Sequence, residues 1–222
     1  MFKNYKNASV LKAGEKCGLA QDYADKEVIV VNDGSTDATQ AIIERFGTRI
    51  RSCYQQNKGL GAARNTGIKM ATGVYLAFLD SDDLWEKTKL TTQIAAIDAT
   101  DPLVFSHVKQ FVCPSLSDEE RAKIKVNQSS LPGYLAGALV VSKKRLLEVG
   151  LFFEEKGLGE FVDWYWRAVA AKAAVVVLPQ VMLYRRLHLG NMGRKKRLYS
   201  RTDYLKIIKR NLDRRRERAT PS

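Results

Sequence analysis

The chain has 222 residues, of which 45% are hydrophobic and 27% charged, and this is enough apolar material for the core of one globular domain. No stretch approaches the ~20 apolar residues of a transmembrane helix, and the residues after Met1 lack the apolar core of a signal peptide. The three cysteines are scattered without metal-ligand spacing, so we expect free thiols in a reducing cytoplasm.

The net charge of +13 is concentrated at the end of the chain. From Arg185 to Ser222 there are fourteen Lys or Arg and three acidic residues, a net charge of +11. Such a basic tail is typical of segments that bind polyanions such as an anionic membrane surface, nucleic acid or an acidic substrate. A solvated helix that aids solubility is an equally good interpretation.

The first clear pattern is a strand, a turn and a helix. Residues 26–31 have an apolar, β-branched centre, which predicts a strand, and the cluster from Asn32 to Asp37 predicts a turn. Residues 38–46 then read as a helix, with Thr36 or Asp37 as its cap. This order of elements is typical of a site that binds a phosphate or a nucleotide. An Asp-Gly-Ser turn by itself, however, indicates only a loop.

After a short predicted strand at residues 50–54 and a helix ending near Ala71, six apolar residues stop at Asp80, Asp82 and Asp83. The run at residues 74–79 is typical of a strand buried on both faces, and ligands bind beyond the carboxyl ends of such strands. Asp80 and Asp82 would share one face and could hold a divalent ion and a diphosphate. Alternatively, Asp82 or Asp83 caps a helix at residues 84–87.

Strands and helices continue to alternate along the rest of the chain. The sequence predicts strands at residues 103–112, 139–141 and 174–178, and helices at 118–125, 143–149 and 162–173. In the tail, Tyr204, Ile208 and Leu212 form a helical apolar stripe. The alternation predicts an α/β fold with a mostly parallel sheet. We expect one domain at residues 1–192 and a basic amphipathic C-terminal helix or tail at residues 193–222.

Three motifs in this order resemble the family 2 glycosyltransferases of the GT-A fold: residues 28–37, residues 57–67, and residues 78–85 with their Asp-Ser-Asp-Asp cluster. The resemblance covers roughly residues 17–192. It implies a nucleotide-sugar donor, a divalent cation (Mn²⁺ or Mg²⁺) and an inverting transfer to an acceptor hydroxyl. It also implies a mixed, mostly parallel sheet flanked by helices.

The resemblance assigns donor-side roles to six residues. Asp33, followed by Gly34 and Ser35, would lie at the nucleobase region. Arg64 would lie on the donor side of the cleft. Asp80 and Ser81 belong to the DXD motif, in which Asp80 lies near the ribose and Asp82 binds the metal that holds the diphosphate.

An inverting transfer also needs a general base for the acceptor hydroxyl. The family usually supplies it from an acidic pair shortly before a helix that ends in Arg. Here Glu160 matches the first acidic position, but Phe161 replaces the usual Asp. Glu160 is therefore our first candidate for the base and Asp163 our second.

The segment from Arg186 to Asn191 resembles the family's Arg-x-His-x-x-Asn motif, which implies that His188 faces the metal or the diphosphate. His107 has no such context and is interpreted as structural. Of Trp85, Trp164 and Trp166, we expect two to lie in the core rather than in a sugar site.

The start of the chain departs from the family pattern. Before residue 17 only Ala8 to Leu11 is apolar, so we expect the usual first strand to be missing, through truncation or divergence. Loss of a central strand exposes two sheet edges, and we therefore expect weak donor binding or low stability.

These observations favour a metal-dependent inverting glycosyltransferase, cytoplasmic and peripheral to the inner face of a membrane. Its acceptor would be a saccharide, lipid-linked or other hydroxyl compound, as in cell wall or polysaccharide biosynthesis. The main alternative is a non-catalytic protein of the same fold that binds a nucleotide sugar or a partner. Nucleic-acid binding is the weakest hypothesis, because the tail contains no recognised base-reading motif.

Overall fold

The computed structural model of the chain describes residues 2–3, 17–155, 159–191, 205–214 and 216. Within these ranges the strands are β1 (Phe2–Lys3), β2 (Ile29–Asp33), β3 (Arg51–Gln55), β4 (Tyr75–Ala77), β5 (Leu79–Asp80), β6 (Leu84–Trp85), β7 (Leu103–Val112), β8 (Leu131–Pro132), β9 (Val140–Ser142) and β10 (Val175–Leu187). The α-helices are α1 (Thr39–Glu44), α2 (Leu60–Met70), α3 (Lys89–Ile94), α4 (Asp118–Ala122), α5 (Lys143–Val149) and α6 (Glu160–Ala170). Residues 205–214 form a further helix, named the tail helix below.

The first sheet is parallel and has the strand order β3-β2-β1-β5. Strand β2 is buried along its whole length, as its run of Ile and Val predicts. Because β2 and β5 both run parallel to β1, their carboxyl ends, Asp33 and Asp80, lie at the same edge of the sheet. The predicted α/β architecture is confirmed, and its parallel part positions these two carboxylates.

The expectation that the first strand is missing is wrong as far as the sheet is concerned. Phe2 and Lys3 pair with Val30 and Val31 of β2 on one side and with Leu79 and Asp80 on the other. The central position of the sheet is therefore filled, but by only two residues. Such a short strand has no periodicity that a sequence can reveal. The apolar candidate at residues 8–11 lies outside the described residues.

The apolar run at residues 74–79 is not one strand, as predicted, but two strands in different sheets. Strand β4 pairs antiparallel with β9, whereas β5 pairs parallel with β1, and the chain crosses between the sheets at Phe78. Phe78 is buried and packs edge-to-face against Phe152 at 5.5 Å between ring centroids. The residues from Val74 to Leu79 are all apolar, so the sequence has the same pattern as one continuous buried strand.

The second sheet is mixed, with the order β4-β9-β7-β10-β6, and β8 pairs with β7. Strand β7 has the predicted bounds. Strand β10 continues well beyond the predicted end at Leu178, through a register shift between Leu178 and Val181. Pro179, which lacks an N–H group, lies within this irregularity, and the pairing resumes after it.

Two helices cover the site side of the core. Helix α2 packs closely because Gly61, Ala62 and Ala63 follow its first residue: a Cβ atom on Gly61 would lie 1.8 Å from the carbonyl oxygen of Phe153. Helix α6 carries an aromatic cluster in which Phe161 packs on Phe105, Phe152, Trp164 and Tyr165. Among the described residues, no helix has the length and apolar character needed to cross a membrane.

Candidate functional site

Polar residues from α2, β5 and α6 meet at the edge where the parallel strands end. Arg64 is buried in α2, and its guanidinium donates to Asp80 Oδ1 at 3.2 Å and to Glu160 Oε1. Its charge also lies over the Phe152 ring, 5.6 Å from the centroid. Arg64 thus joins a residue predicted for the donor side to one predicted for the acceptor side.

The electrostatics of Arg64 follow from this pairing. Burial acts to lower the pKa of its guanidinium, but the charges and hydrogen bonds of Glu160 and Asp80 outweigh it, so the pKa lies above its ordinary value. Removal of its carboxylate partners would leave a buried positive charge unpaired, which would strongly destabilise the fold. Glu160 is itself largely buried, with 9% of its side chain exposed, whereas Asp80 is 41% exposed and accessible to a ligand.

Asp33, predicted for the nucleobase region, binds the loop before α2. Its Oδ1 accepts from Gln55 Nε2 at 2.8 Å and from Lys58 N at 2.9 Å, and its Oδ2 accepts from Gly59 N at 3.1 Å. This carboxylate therefore holds the start of the helix that carries Arg64. Its role toward a nucleobase stays a prediction.

The turn after Asp33 is shaped by its neighbours. Asn32 Oδ1 accepts from Ser35 N at 3.0 Å. Gly34 has φ +75°, and a Cβ atom there would lie 2.7 Å from Asn57 N, so only glycine fits this close approach. The three-residue stretch predicted from the sequence as a donor site is thus a tight, glycine-dependent turn beside the loop that precedes α2.

Asp82 lies at the centre of a second polar group, formed with the residues after β10. Its Oδ2 is 3.2 Å from His188 Nε2 and accepts from Asn191 Nδ2 at 3.3 Å. Asn191 in turn accepts from His188 N at 2.6 Å. The predicted proximity of Asp82 and His188 is therefore present in the structure, although no contact tests their roles as metal ligands.

The donor set around Asp82 fits a hard divalent cation that keeps several water or phosphate ligands. Asp82 is half-buried and reachable from solvent, and the described residues contain no group of three or more His, Cys, Asp or Glu arranged to hold a metal ion. Mg²⁺ and similar ions use one or two protein carboxylates and complete their shell with substrate phosphates and water. Asp82 alone, or Asp82 with one neighbour, therefore meets the requirement.

In the observed geometry, His188 is better suited to donate a hydrogen bond than to bind a metal ion. Its Nδ1 accepts from Gly190 N at 3.1 Å. A neutral ring whose Nδ1 accepts carries its proton on Nε2, and that nitrogen then donates to Asp82. Binding of an ion through Nε2 would require the Gly190 contact to open.

The alternative interpretation of the acidic cluster as a helix cap is wrong. Leu84 and Trp85 form β6, which pairs with β10, and the next helix begins only at Lys89. Asp83 is buried and its Oδ1 accepts from Arg186 N at 2.9 Å. Burial raises the pKa of Asp83 well above its usual range, and the negative charges of Asp82 and Asp80 add to this effect.

Asp163, the second candidate for the base, is 1% exposed. Its Oδ2 accepts from Arg167 Nε at 3.0 Å and its Oδ1 from Arg214 Nη1 at 2.9 Å. Arg167 also donates to the carbonyl oxygens of Val149 and Leu151, both at 2.6 Å, and so ties α6 to the end of α5. Asp163 is neither free nor on the helix surface, and the geometry favours Glu160.

Phe161, which replaces the usual acidic residue, belongs to the aromatic cluster of α6 and not to the polar site. Trp85 and Trp164 are buried while Trp166 is 38% exposed, as expected for two core tryptophans of three. His107 lies in β7, where its Nδ1 is 3.4 Å from Ser130 Oγ. Ser81 is buried within the acidic cluster.

Two site-supporting residues were not singled out from the sequence. Asn65 donates to the Phe152 carbonyl at 2.8 Å and accepts from Phe152 N at 2.9 Å, and Arg186 donates through Nε to the Asp82 carbonyl at 2.8 Å. Asn65 lies in the motif at residues 57–67, and Arg186 begins the segment that ends at Asn191. Their partners are distant in sequence, which is why only the motif and not the contact was visible.

Comparisons with known proteins give the family of the chain. The family model described as "Glycosyl transferase family 2" matches residues 4–136. An uncharacterized glycosyltransferase of Rickettsia typhi is 30% identical over 200 residues, covering 83% of this chain and 62% of the relative. An Escherichia coli protein named UDP-Glc:alpha-D-GlcNAc-diphosphoundecaprenol beta-1,3-glucosyltransferase is 36% identical over 110 residues, covering 49% of this chain and 43% of the relative.

Solved structures agree on the fold. TarS of Staphylococcus aureus, in complex with UDP-GlcNAc, has a TM-score of 0.65 at 22% identity and covers 86% of this chain and 58% of its own. A Pyrobaculum calidifontis mannosyltransferase, in complex with GDP-Man and Mn²⁺, has a TM-score of 0.60 at 21% identity and covers 88% of this chain and 57% of its own. The fold is GT-A.

The chain belongs to glycosyltransferase family 2, because the family model matches more than half of it. The chain spans less than two thirds of the length of the relatives named here. The activity, substrates and partners of the whole protein are therefore proposals.

Proposed function

We propose that the chain transfers a sugar from a nucleotide-sugar donor to an acceptor hydroxyl, with inversion at the anomeric carbon and with a divalent cation. The observation that carries this proposal is the bridge of Arg64 between Asp80 and Glu160, next to the Asp82–His188 pair. It joins a phosphate-side carboxylate pair to a candidate base within one site. An inverting single displacement needs one group that stabilises the leaving diphosphate and a base that deprotonates the attacking hydroxyl.

On the donor side, we assign Asp80 and Ser81 to the ribose and diphosphate region and the turn of Asp33, Gly34 and Ser35 to the nucleobase region. Arg64 supplies positive charge at this side of the cleft. Asp82 would hold the cation, Mn²⁺ or Mg²⁺, which when bound stabilises the negative charge that develops on the departing diphosphate. His188 would donate from Nε2 to Asp82 or to the diphosphate.

On the acceptor side, we assign Glu160 as the general base that removes the proton of the attacking hydroxyl. Arg64 orients its carboxylate through Oε1, and Oε2 is the oxygen that would take the proton. Asp163 is the weaker candidate because both its oxygens already accept hydrogen bonds from arginines. A base with both oxygens occupied cannot reach a substrate without breaking an ion pair.

We further propose a saccharide acceptor carried on a lipid diphosphate, used at the cytoplasmic face of a membrane in cell wall or polysaccharide synthesis. The name of the Escherichia coli relative states such an acceptor. The tail suits an anionic lipid surface, because its net charge is positive and the tail helix exposes Leu205, Ile208 and Leu212. The domain at residues 1–192 would then hold the chemistry and residues 193–222 the surface contact.

The test is release of nucleoside diphosphate from a panel of nucleotide sugars with Mn²⁺, together with calorimetric binding of UDP and GDP. We expect turnover of at least one donor. Asp82→Asn should lower both the turnover and the Mn²⁺-dependent nucleotide affinity, the turnover by about 100-fold. Asp118→Asn, an exposed carboxylate in α4, is the matched control and should change neither.

Full turnover by the Asp82→Asn variant would refute the assignment. The second candidate function is a non-catalytic protein that binds nucleotide sugars, and the specific observation in its favour is Phe161 at the position of the usual acid. Mn²⁺-dependent binding without release from any donor, over a broad set of saccharide acceptors, would support that function instead.

A further inference from the structure

Asp163 has an unusual second partner. Both η nitrogens of Arg167 are used on main-chain carbonyl oxygens, so Arg167 offers Asp163 only its Nε group. The other carboxylate oxygen accepts from Arg214, which belongs to the tail helix and lies 51 residues further along the chain. A carboxylate that is 1% exposed needs this second partner, because a buried charge with unsatisfied oxygens is costly.

A second arginine of the tail helix contacts the other side of the same region. Arg210 lies over the Phe153 ring at 3.7 Å from its centroid and donates to Glu155 at 2.6 Å. Arg210 and Arg214 are four positions apart, about one helical turn, so both side chains lie on one face of the helix. Ile207, one turn earlier, is 4% exposed and adds an apolar anchor on that face.

The residues that these two arginines contact lie before and after Glu160 in the sequence. Phe153 and Glu155 precede the start of α6 and Asp163 follows it, while Glu160 lies one turn before Asp163 on the helix. The preceding residues are already fixed to α2, because Asn65 exchanges two hydrogen bonds with Phe152 and donates to Glu154 at 2.9 Å. The tail helix supplies further support through Arg210 and Arg214.

We propose that Arg210 and Arg214 are positioning residues: they fasten the tail helix across the entry to α6 and thereby hold Glu160 against Arg64. The tail helix is then part of the acceptor side of the site in addition to any role at a lipid surface. This inference rests on the proposed function in one respect, the assignment of Glu160 as the base. Neither arginine touches the reacting groups.

The test compares the full chain with the double variant Arg210→Ala/Arg214→Ala by native-state amide hydrogen exchange. Amides of residues 159–165 should exchange about tenfold faster or more, whereas those of β2 and β3 should keep their rates. The control is Arg45→Ala/Lys144→Ala, which removes two exposed positive charges far along the chain from the tail and should leave all rates unchanged. Arg214→Lys, which keeps the charge, should restore part of the protection.

The catalytic readout is UDP release from UDP-glucose with Mn²⁺. The double variant should lower kcat by about 10- to 100-fold while the KM for UDP-glucose stays within about twofold, since only the base is displaced. Unchanged exchange at residues 159–165, or a uniform acceleration that includes β2 and β3, would overturn the inference. The hydrogen-exchange result decides the inference whether or not UDP-glucose is turned over. Asp82→Asn tests the proposed function separately, without affecting residues 159–165.

Discussion

At the scale of single residues, the candidate site depends on Arg64. It is buried, its guanidinium contacts two carboxylates, and its pKa is raised because those charges outweigh its burial. Motif resemblance placed this residue on the donor side, but the structure also connects it to Glu160. A single side chain therefore links the carboxyl end of β5 with the start of α6, and its loss should affect stability as well as any activity.

We predict that Arg64→Met lowers the free energy of unfolding by about 3–5 kcal/mol, because it leaves the largely buried Glu160 without its partner. Urea unfolding measures this change. Arg51→Met, which removes an exposed ion pair with Glu27, is the control and should cost at most about 1 kcal/mol.

A second variant separates the two causes of that loss. Adding Glu160→Gln to Arg64→Met should recover part of the stability, since the unpaired buried charge is then removed. A loss below about 1 kcal/mol for Arg64→Met would contradict the view that the bridge supports the fold.

At the scale of secondary-structure elements, the site is held by the close approach of α2 to the segment before α6. Gly61 permits this approach, since a Cβ atom there would overlap the Phe153 carbonyl. The same segment exchanges hydrogen bonds with Asn65, one turn further along α2. The glycine at this position is therefore a packing requirement, and the Ala/Gly-rich composition of the motif reflects it.

We predict that Gly61→Ala destabilises the protein by about 1–3 kcal/mol, although alanine is the better helix former. Thermal and urea unfolding are suitable measurements. Gly73→Ala is the matched control, because a Cβ atom there meets nothing closer than the Tyr75 carbonyl at 3.7 Å, and it should change stability by less than about 0.5 kcal/mol. Equal effects of the two substitutions would show that the contact with Phe153 does not limit packing.

At the scale of the whole molecule, Glu27 joins three parts of the parallel layer at the edge away from the site. Its carboxylate accepts from Thr72 N, Thr72 Oγ1 and Gly73 N after α2, and from Arg51 in β3. Burial acts to raise the pKa of Glu27, but these hydrogen bonds outweigh it and lower the pKa to about 2. The charged form is thus the one that the fold stabilises.

We predict an acid-dependent loss of stability from this residue. Because the pKa is lower in the folded protein than its ordinary value of 4.5, the stabilisation is complete above that value and is lost as the pH falls toward 2. Glu27→Gln should lower stability at pH 6 by about 1 kcal/mol, allowing for partial exposure, and the difference from the native protein should vanish near pH 2.

Thermal unfolding of both proteins between pH 2 and 7 measures this difference. Glu44→Gln, an exposed carboxylate at the end of α1, is the control and should show no comparable pH dependence. A stability difference for Glu27→Gln that is constant across the range would contradict the role of its charge.

The sequence by itself determined the family, the α/β class, most of the strands and helices, and the motifs that contain the site. These properties are local: apolar periodicity, glycine turns and motif order are all written along a short stretch of chain. That is why α5 and β7 have their predicted bounds. The expected proximity of Asp82 and His188, which are 106 residues apart, came from the family resemblance instead.

Only the tertiary structure decided which residues act together. Arg64 contacts Glu160 across 96 residues and Asp163 contacts Arg214 across 51, and neither pair has a spacing that periodicity could reveal. The same holds for the apolar run that divides between two sheets at Phe78, because the residues on both sides of Phe78 are apolar in the sequence. Contacts between distant residues depend on how the elements pack, and packing is a property of the folded chain as a whole.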